Sequence, residues 1–364
     1  MQARKMAGMA VAVVLFTGGA ALGQTHAPWP TNWNNWSDPA LLVTVGNPGN
    51  APDTRYNNIS VGAVAYEYKI GMYEVTAGQY TAFLNAVAKA DTYGLYNTEM
   101  DAEAHEDSGH FGCNIKRTGS SGSYEYSVAP DYANRPVNYV SWGDSVRFAN
   151  WLTNGQGSGS TETGAYNLSG AMTDAELMAV VVPTASQRAT WSNGATSYFL
   201  LTSEDEWYKA AYHDKNAVLV ATYFNYPTSS NSVPGNDMTE ATNSGNNVNY
   251  GVGPVHFPID SDKYYTTVAG EFQNSDSPYG TFDQGGNVFE WNEVVLAGSY
   301  HGARGGSFGN VSGPGYLHAS DRVNGFPPTY EGPCVGFRVV VVPEPATLSL
   351  LALGGLALMR RRRR

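Results

Sequence analysis

The chain reads as one loop-rich α+β domain built from few, short helices and strands. Three observations predict this. Three segments carry a helix-opening capping signature followed by apolar residues at helical spacing. These sit among short β-like runs and long stretches rich in Gly, Ser, Asn and Pro. The 364 residues include 41 Gly, 19 Pro, 24 Tyr and 8 Trp, a composition that favours turns and aromatic-rich loops over long helices.

Residues 24–65 form a lead-in rich in Trp, Pro and Asn, with one strand-like run at Leu41 to Val45. Tyr66 to Met72 alternates as a strand does. Thr76 to Gln79 is a capping box, and Tyr80, Phe83, Leu84 and Val87 supply the apolar face of the first helix. Residues 91–135 read as a long loop region with an acidic patch from Glu99 to Asp107 and a Gly/Ser turn at Gly119 to Ser123. The patch matches no calcium loop and reads as solvated.

A second capping box, Ser141 to Asp144, opens a helix bearing Val146, Phe148, Ala149 and Leu152, which stops at Asn154-Gly155. Residues 155–196 again read as loop. Phe199-Leu200-Leu201 leads into a third helix at Thr202, with Asp205 in the capping-box position and Trp207, Tyr208, Ala210 and Ala211 behind it. From 223 to 280 the pattern is loops and short strands. No internal repeat is apparent, so the region from 66 to 342 is read as one domain.

Charge narrows the partners. The formal net charge is −11, and charged residues make up only 15%. Without Arg4, Lys5 and the five tail arginines, 14 basic residues face 32 acidic ones, a charge of −18. Such a surface argues against nucleic acid and anionic lipid as ligands and is compatible with divalent cations.

Both termini read as targeting segments. Arg4 and Lys5 precede an apolar stretch from Met6 to about Leu22, and Ala21-Leu22-Gly23 is a small-x-small cleavage site before Gln24. Residues 1–23 are therefore a secretory signal peptide, with a retained anchor as the alternative. Residues 343–364 begin within Val-Pro-Glu-Pro and continue through an apolar run, Ala346 to Met359, to Arg360–Arg364. The run falls short of the roughly 20 residues that cross a hydrocarbon core untilted, and the arginines hold its end on the cytoplasmic side. This order resembles the PEP-CTERM sorting signal of bacterial envelope proteins. The resemblance implies an exosortase-type processing enzyme as partner and a transient inner-membrane anchor. It also implies export through the inner membrane to the periplasm, cell surface or extracellular matrix. An ordinary C-terminal anchor is the alternative.

Two cysteines, Cys113 and Cys334, leave two readings open in an oxidising compartment. They form a disulfide, worth roughly 5 kcal/mol on the chain-closure account, or they stand as two separate buried thiols.

Six landmarks occur in order between residues 66 and 340: Tyr73-Glu74-Val75-Thr76 with Tyr80 and Phe83; Arg135-Pro136-Val137 with Val140-Ser141-Trp142; Leu201 to Tyr208; Gly286 to Trp291; Arg304-Gly305-Gly306-Ser307-Phe308; and Gly336-Phe337-Arg338. Together they resemble the formylglycine-generating enzyme, or sulfatase-modifying factor, family. The resemblance implies a variant of the C-type lectin-like fold, often with calcium sites. It also implies two cysteines between the Gly-Gly-Ser and Gly-Phe-Arg motifs that bind Cu(I), activate oxygen and convert a sulfatase cysteine to formylglycine. Cu(I) favours soft thiolates in low coordination number, so both cysteines are needed. Here the window from Phe308 to Val335 holds only Cys334, and Gly309 to Pro314 carry no cysteine. Copper and a catalytic residue set are therefore not expected.

Calcium is the cofactor the resemblance implies. The family's turn before Glu-Trp maps onto Asp283 and Glu290 as side-chain ligands and Gly286 and Val288 as carbonyl ligands, with Asn247 and Val248 as a looser second site. Ser307, His301 and Asp321 lack the nucleophile elbow of a hydrolase. The seven histidines show no His-Glu-x-x-His spacing. Arg304, Arg322 and Arg338 are expected to pair with Glu or Asp inside the fold. The first functional expectation is an exported, surface-sorted binding module of the envelope or its exopolysaccharide, taking a polysaccharide or envelope protein as ligand. The alternative is a working formylglycine-generating or other oxidoreductase. A calcium-dependent sugar-binding protein is the third.

Overall fold

The structure, a computed structural model, describes residues 41–56, 60–101, 111–194, 196–217, 222–237, 245–251, 264–309, 313–322 and 325–342. The signal peptide, the sorting segment, most of the acidic patch, and His26, His105, His110 and His256 lie outside the described residues. Among the described residues no helix is long and apolar enough to cross a membrane.

In chain order the elements are β1 (Leu42–Val45), β2 (Tyr68–Gly71), α1 (Ala77–Val87), β3 (Ile115–Thr118), β4 (Glu125–Val128), α2 (Trp142–Thr153), α3 (Asp174–Met178), α4 (Ala185–Trp191), β5 (Tyr198–Leu201), α5 (Glu204–Tyr212), β6 (Phe289–Leu296), β7 (Tyr300–Arg304), β8 (Val335–Gly336) and β9 (Val339–Val342). The architecture is the loop-rich α+β arrangement that the composition predicts.

Helix starts follow local chemistry. Thr76 caps α1 with Gln79, and Ser141 caps α2 with Asp144, each in a complete capping box. The α2 helix ends at Asn154, and Gly155 follows at φ 79. The third expected helix starts one residue later than read: Ser203 is the cap and Glu206, not Asp205, closes the box. Residues 155–196 also hold two helices where loop was expected, and 91–135 hold the β3–β4 hairpin. The hairpin escapes an apolar-pattern search because Ile115 and Tyr126 are its only buried residues.

The principal sheet has the order β1-β2-β9-β5, all neighbours antiparallel. The last strand among the described residues, β9, is thus an interior strand. Its four valines are at most 4% exposed, because both faces are covered. That produces the continuous apolar run Val339–Val342 in place of the alternation of a half-exposed strand. A second sheet, β7-β6-β8, runs β8 parallel to β6. β1 lies inside the stretch read as lead-in, and it pairs in full register with β2 from Leu42↔Gly71 to Val45↔Tyr68.

The core forms where α1 and α2 meet. Tyr80, Phe83, Phe148, Trp151 and Phe337 pack with ring centroids 5.2 to 6.5 Å apart. Trp291 on β6 reaches the same core and donates from Nε1 to the Val140 carbonyl at 2.9 Å.

Because β9 joins β2 to β5, a chain ending at Arg338 should show no cooperative thermal transition, whereas one ending at Val342 should melt as a folded domain. Far-ultraviolet circular dichroism melts of the two chains test this.

Candidate functional site

The turn leading into β6 is wound tightly. Asp283, Gly286 and Asn287 all take positive φ, at 58°, 88° and 52°. A Cβ on Gly286 would lie 2.2 Å from the Asn249 carbonyl oxygen, so only glycine fits there. The winding points Asn287 inward. Its Oδ1 accepts from the Thr267 N–H, the Thr267 hydroxyl and the Asn249 amide at 2.9 to 3.0 Å. Its own amide donates to Glu74 at 3.3 Å.

One turn of strand further on, Glu290 meets Arg338. Arg338 Nε and Nη2 each donate to a different Glu290 oxygen at 2.6 Å. Trp207 Nε1 donates to the same carboxylate at 2.7 Å. The remaining Arg338 donors reach the Gly71 and Phe282 carbonyls at 2.9 Å. Both partners are fully buried. Asp283 accepts the Gly270 N–H at 2.6 Å. Burial pushes its carboxyl up to about 6, against the pull of the Gly270 N–H and Arg338. Burial, with Asp283 and Glu290 close by, raises Glu74 well above the ordinary carboxyl value.

This arrangement bears on the calcium ligands expected at Asp283, Gly286, Val288 and Glu290. Glu290 spends both oxygens on Arg338 and Trp207, so a guanidinium holds the position a cation would need. The Val288 N–H and the Asn287 amide are tied to Glu74. As folded, Glu290 is thus taken up by Arg338 and Trp207. Among the described residues no group of three or more His, Cys, Asp or Glu is set to hold a metal. Asn247 and Val248, the looser second pair, are buried, with the Asn247 N–H donating to Ser275 Oγ.

The two cysteines are free thiols. The disulfide alternative is thus not the arrangement observed, although the segments carrying the cysteines are neighbours. The Asn138 amide donates to the Phe111 carbonyl at 2.6 Å and to the Pro333 carbonyl at 2.7 Å, clamping the two segments together. Each sulfur has its own surroundings. Cys113 faces the Asn138 and Ile115 N–H groups, and burial pushes its thiol up to about 12. Cys334 faces the Ser307 hydroxyl and the Gly309 N–H, and burial raises its thiol as well.

The remaining constellations resolve into structure. His301 is buried and lies flat on Trp142, centroids 3.9 Å apart. Its ring nitrogens face the Glu293 and Val294 carbonyls without forming well-aligned hydrogen bonds. Ser307 faces Gly309 and Cys334, and the Asp321 carbonyl takes Arg304. The three residues thus turn to different partners. The arginines pair as expected: Arg304 and Arg322 both bind Glu204, and Arg338 binds Glu290.

A profile of the sulfatase-modifying factor enzyme 1-like domain matches residues 43–342. The chain belongs to the sulfatase-modifying factor family. A second profile, the PEP-CTERM protein-sorting motif, matches residues 341–364, marking an exported protein handled by an exosortase-type sorting system. No curated protein matches the chain. Similar solved structures include variable protein 1 of Treponema denticola, 18% identical with a TM-score of 0.48, covering 83% of this chain and 95% of that one. CarF is 18% identical with a TM-score of 0.43, covering 82% of this chain and 97% of that one. PvdO from Pseudomonas aeruginosa is 17% identical with a TM-score of 0.42, covering 82% of this chain and 93% of that one.

In this sulfatase-modifying factor domain, three of the six sequence landmarks converge on the Glu290–Arg338 pair. Sequence reasoning missed a second buried network beside it. Arg188 on α4 donates from Nη1 to Glu206 at 2.6 Å and lies 2.5 Å from Glu293 through Nη2. Tyr66 donates to Glu206, and Tyr166 donates to Glu293. Tyr66, Arg188 and Glu293 of this network border a cavity of about 340 Å³, lined also by Val182, Glu204 and Asp205. The available signal was Thr184 with Gln187, a capping box that announces α4. The partner carboxylates lie on other elements and left no local trace. Another missed pair is Glu331 with Asp144. Burial first, then the neighbouring Asp144, raises Glu331.

Two outcomes are expected. Burial pushes Glu293 up to about 7, against Arg188 and the Tyr166 hydroxyl. A raised carboxyl pKa contributes stability below its unfolded value and loses it as pH rises through the folded value. Glu293→Gln should therefore show a smaller fall in melting temperature between pH 5 and pH 8 than the parent, in melts across that range. Because Arg338 occupies Glu290, melting temperatures with excess calcium and with EDTA should coincide. A rise with calcium would reassign the turn.

Proposed function

We propose that this exported sulfatase-modifying factor protein is a binding module of the envelope or its exopolysaccharide and lacks the copper-dependent oxidation. Its tail serves as a transient inner-membrane anchor until processing. One observation supports this most directly: Cys334 is the only cysteine between the Gly-Gly-Ser and Gly-Phe-Arg motifs, and its buried thiol is turned to Ser307 and Gly309.

The same face supplies a binding surface. Tyr316 packs edge-on against Phe289, Phe289 against Phe326, and Phe326 stacks on Tyr330 with centroids 4.7 Å apart. The two end rings, Tyr316 and Tyr330, are 37% and 39% exposed. A row of rings held by packing and open at its ends presents flat apolar faces beside phenol hydroxyls, which suits the CH faces and hydroxyls of sugar rings.

The reduced protein should bind Cu(I) no more tightly than a competing chelator of known affinity. Tight one-to-one binding that disappears in Cys334→Ser would restore the oxidase reading. Affinity electrophoresis through the producing cell's exopolysaccharide should retard the protein, and Tyr316→Ala with Tyr330→Ala should abolish the retardation.

A further inference from the structure

The sorting signal starts where the fold ends. β9 finishes at Val342, and Pro343-Glu344-Pro345 follows directly, before the apolar run begins at Ala346. The two profiles share residues 341 and 342. From the Val342 Cα to that of Ala346, an extended chain reaches at most ~14 Å. A strand at a sheet edge could peel away to lengthen this tether. β9 is held by β2 on one side and β5 on the other, so it stays in place. While the tail is in the bilayer, the end of the sheet where β9 emerges must therefore sit within that reach of the hydrocarbon boundary.

That end of the sheet carries a matching side-chain pair. Tyr198 opens β5 in direct register with Val342. Trp191, the last residue of α4, stacks on Tyr198 with centroids 4.2 Å apart and planes 23° apart. Both rings are half-buried, and exposed Thr196 and Ser197 stand beside them. Trp and Tyr prefer the headgroup layer, where an apolar ring and a polar tip are both accommodated. Exposed Glu67, just before β2, and half-buried Lys69 on it carry opposite charges near this end.

We propose that, before processing, the domain rests on the membrane through this end of the principal sheet, with Trp191 and Tyr198 in the headgroup layer. The occupant of the surface is the bilayer that holds the chain's own tail. The proposal rests on the tail entering the membrane, and it fixes which face the processing enzyme meets: the cut is made beside Trp191 and Tyr198, beyond Val342.

The test uses the chain with its tail intact, reconstituted into phosphatidylethanolamine–phosphatidylglycerol vesicles containing acyl-brominated lipid. Flotation reports tail insertion, and quenching of tryptophan emission reports contact. The chain should float and its emission should be quenched. Trp191→Phe should float but lose most of the quenching. A spacer of about twelve Gly and Ser residues between Val342 and Pro343, with a mean span of roughly 20 Å, should do the same while leaving the domain's own residues untouched. A floating parent whose quenching is unchanged in both variants overturns the docked orientation and leaves the anchor reading intact. A chain that fails to float removes the anchor reading and the proposal with it.

Discussion

The fold depends on one buried charge pair, Glu290 with Arg338. Their contact is bidentate, which is the strongest geometry available to a guanidinium and a carboxylate. The pair is also where separate parts of the chain are tied together. Arg338 leads into β9 and reaches the end of β2 through the Gly71 carbonyl and the glycine-rich turn through the Phe282 carbonyl. Glu290 belongs to β6 and takes the indole N–H of Trp207 from α5. Two charges buried without such partners would each cost several kcal/mol. Here the desolvation is offset because the guanidinium donors and the Trp207 N–H all find acceptors, so the pair specifies how the two sheets and α5 meet.

A second pairing repeats the logic with a local twist. Glu206 is at once the closing residue of the α5 capping box, accepting the Ser203 N–H at 2.8 Å, and the partner of Arg188. A change at Glu206 would therefore remove a helix cap and one of the two carboxylates that hold the buried Arg188 guanidinium. The network remains rich in carboxyls: Arg188 faces both Glu206 and Glu293, and Glu74, Asp283 and Glu290 surround Arg338. Burial, with these carboxyls crowded together, raises Glu74, Asp283 and Glu293 above the ordinary carboxyl value.

What could be read from sequence was what local chemistry determines. The caps of α1 and α2 are stated within four residues each, and both form. The α5 start slipped by one because Thr202 and Ser203 both offer a hydroxyl, with Asp205 and Glu206 three residues on. The α3 and α4 helices were missed because five- and seven-residue helices carry almost no apolar stripe, burying only Leu177 and Arg188 respectively. Their capping boxes were legible all the same. Pairing of Arg304, Arg322 and Arg338 with acids followed from the expense of burying a guanidinium alone. Which acid each takes did not follow, because Glu204 lies 100 residues from Arg304 and 118 from Arg322. The guanidinium at Glu290 was not legible for the same reason: a Gly-rich turn with two acids suits a metal ion or a guanidinium, and Arg338 lies 48 residues downstream of Glu290.

Placing the interior strand last in the chain constrains how an exported protein folds. Lys69 of β2 pairs with Val341, and Glu74 waits for groups that follow it by more than 200 residues. Until Arg338 and β9 arrive, Glu290 lacks its guanidinium, and β2 and β5 each present an open edge. Such long-range closure is slow and leaves edges exposed to wrong pairing. The sorting segment begins one residue after β9, so on the anchor reading proposed above the chain is held as its last described strand becomes available. On that reading a cut that leaves the sheet intact falls beyond Val342, because Val339–Val342 all belong to β9.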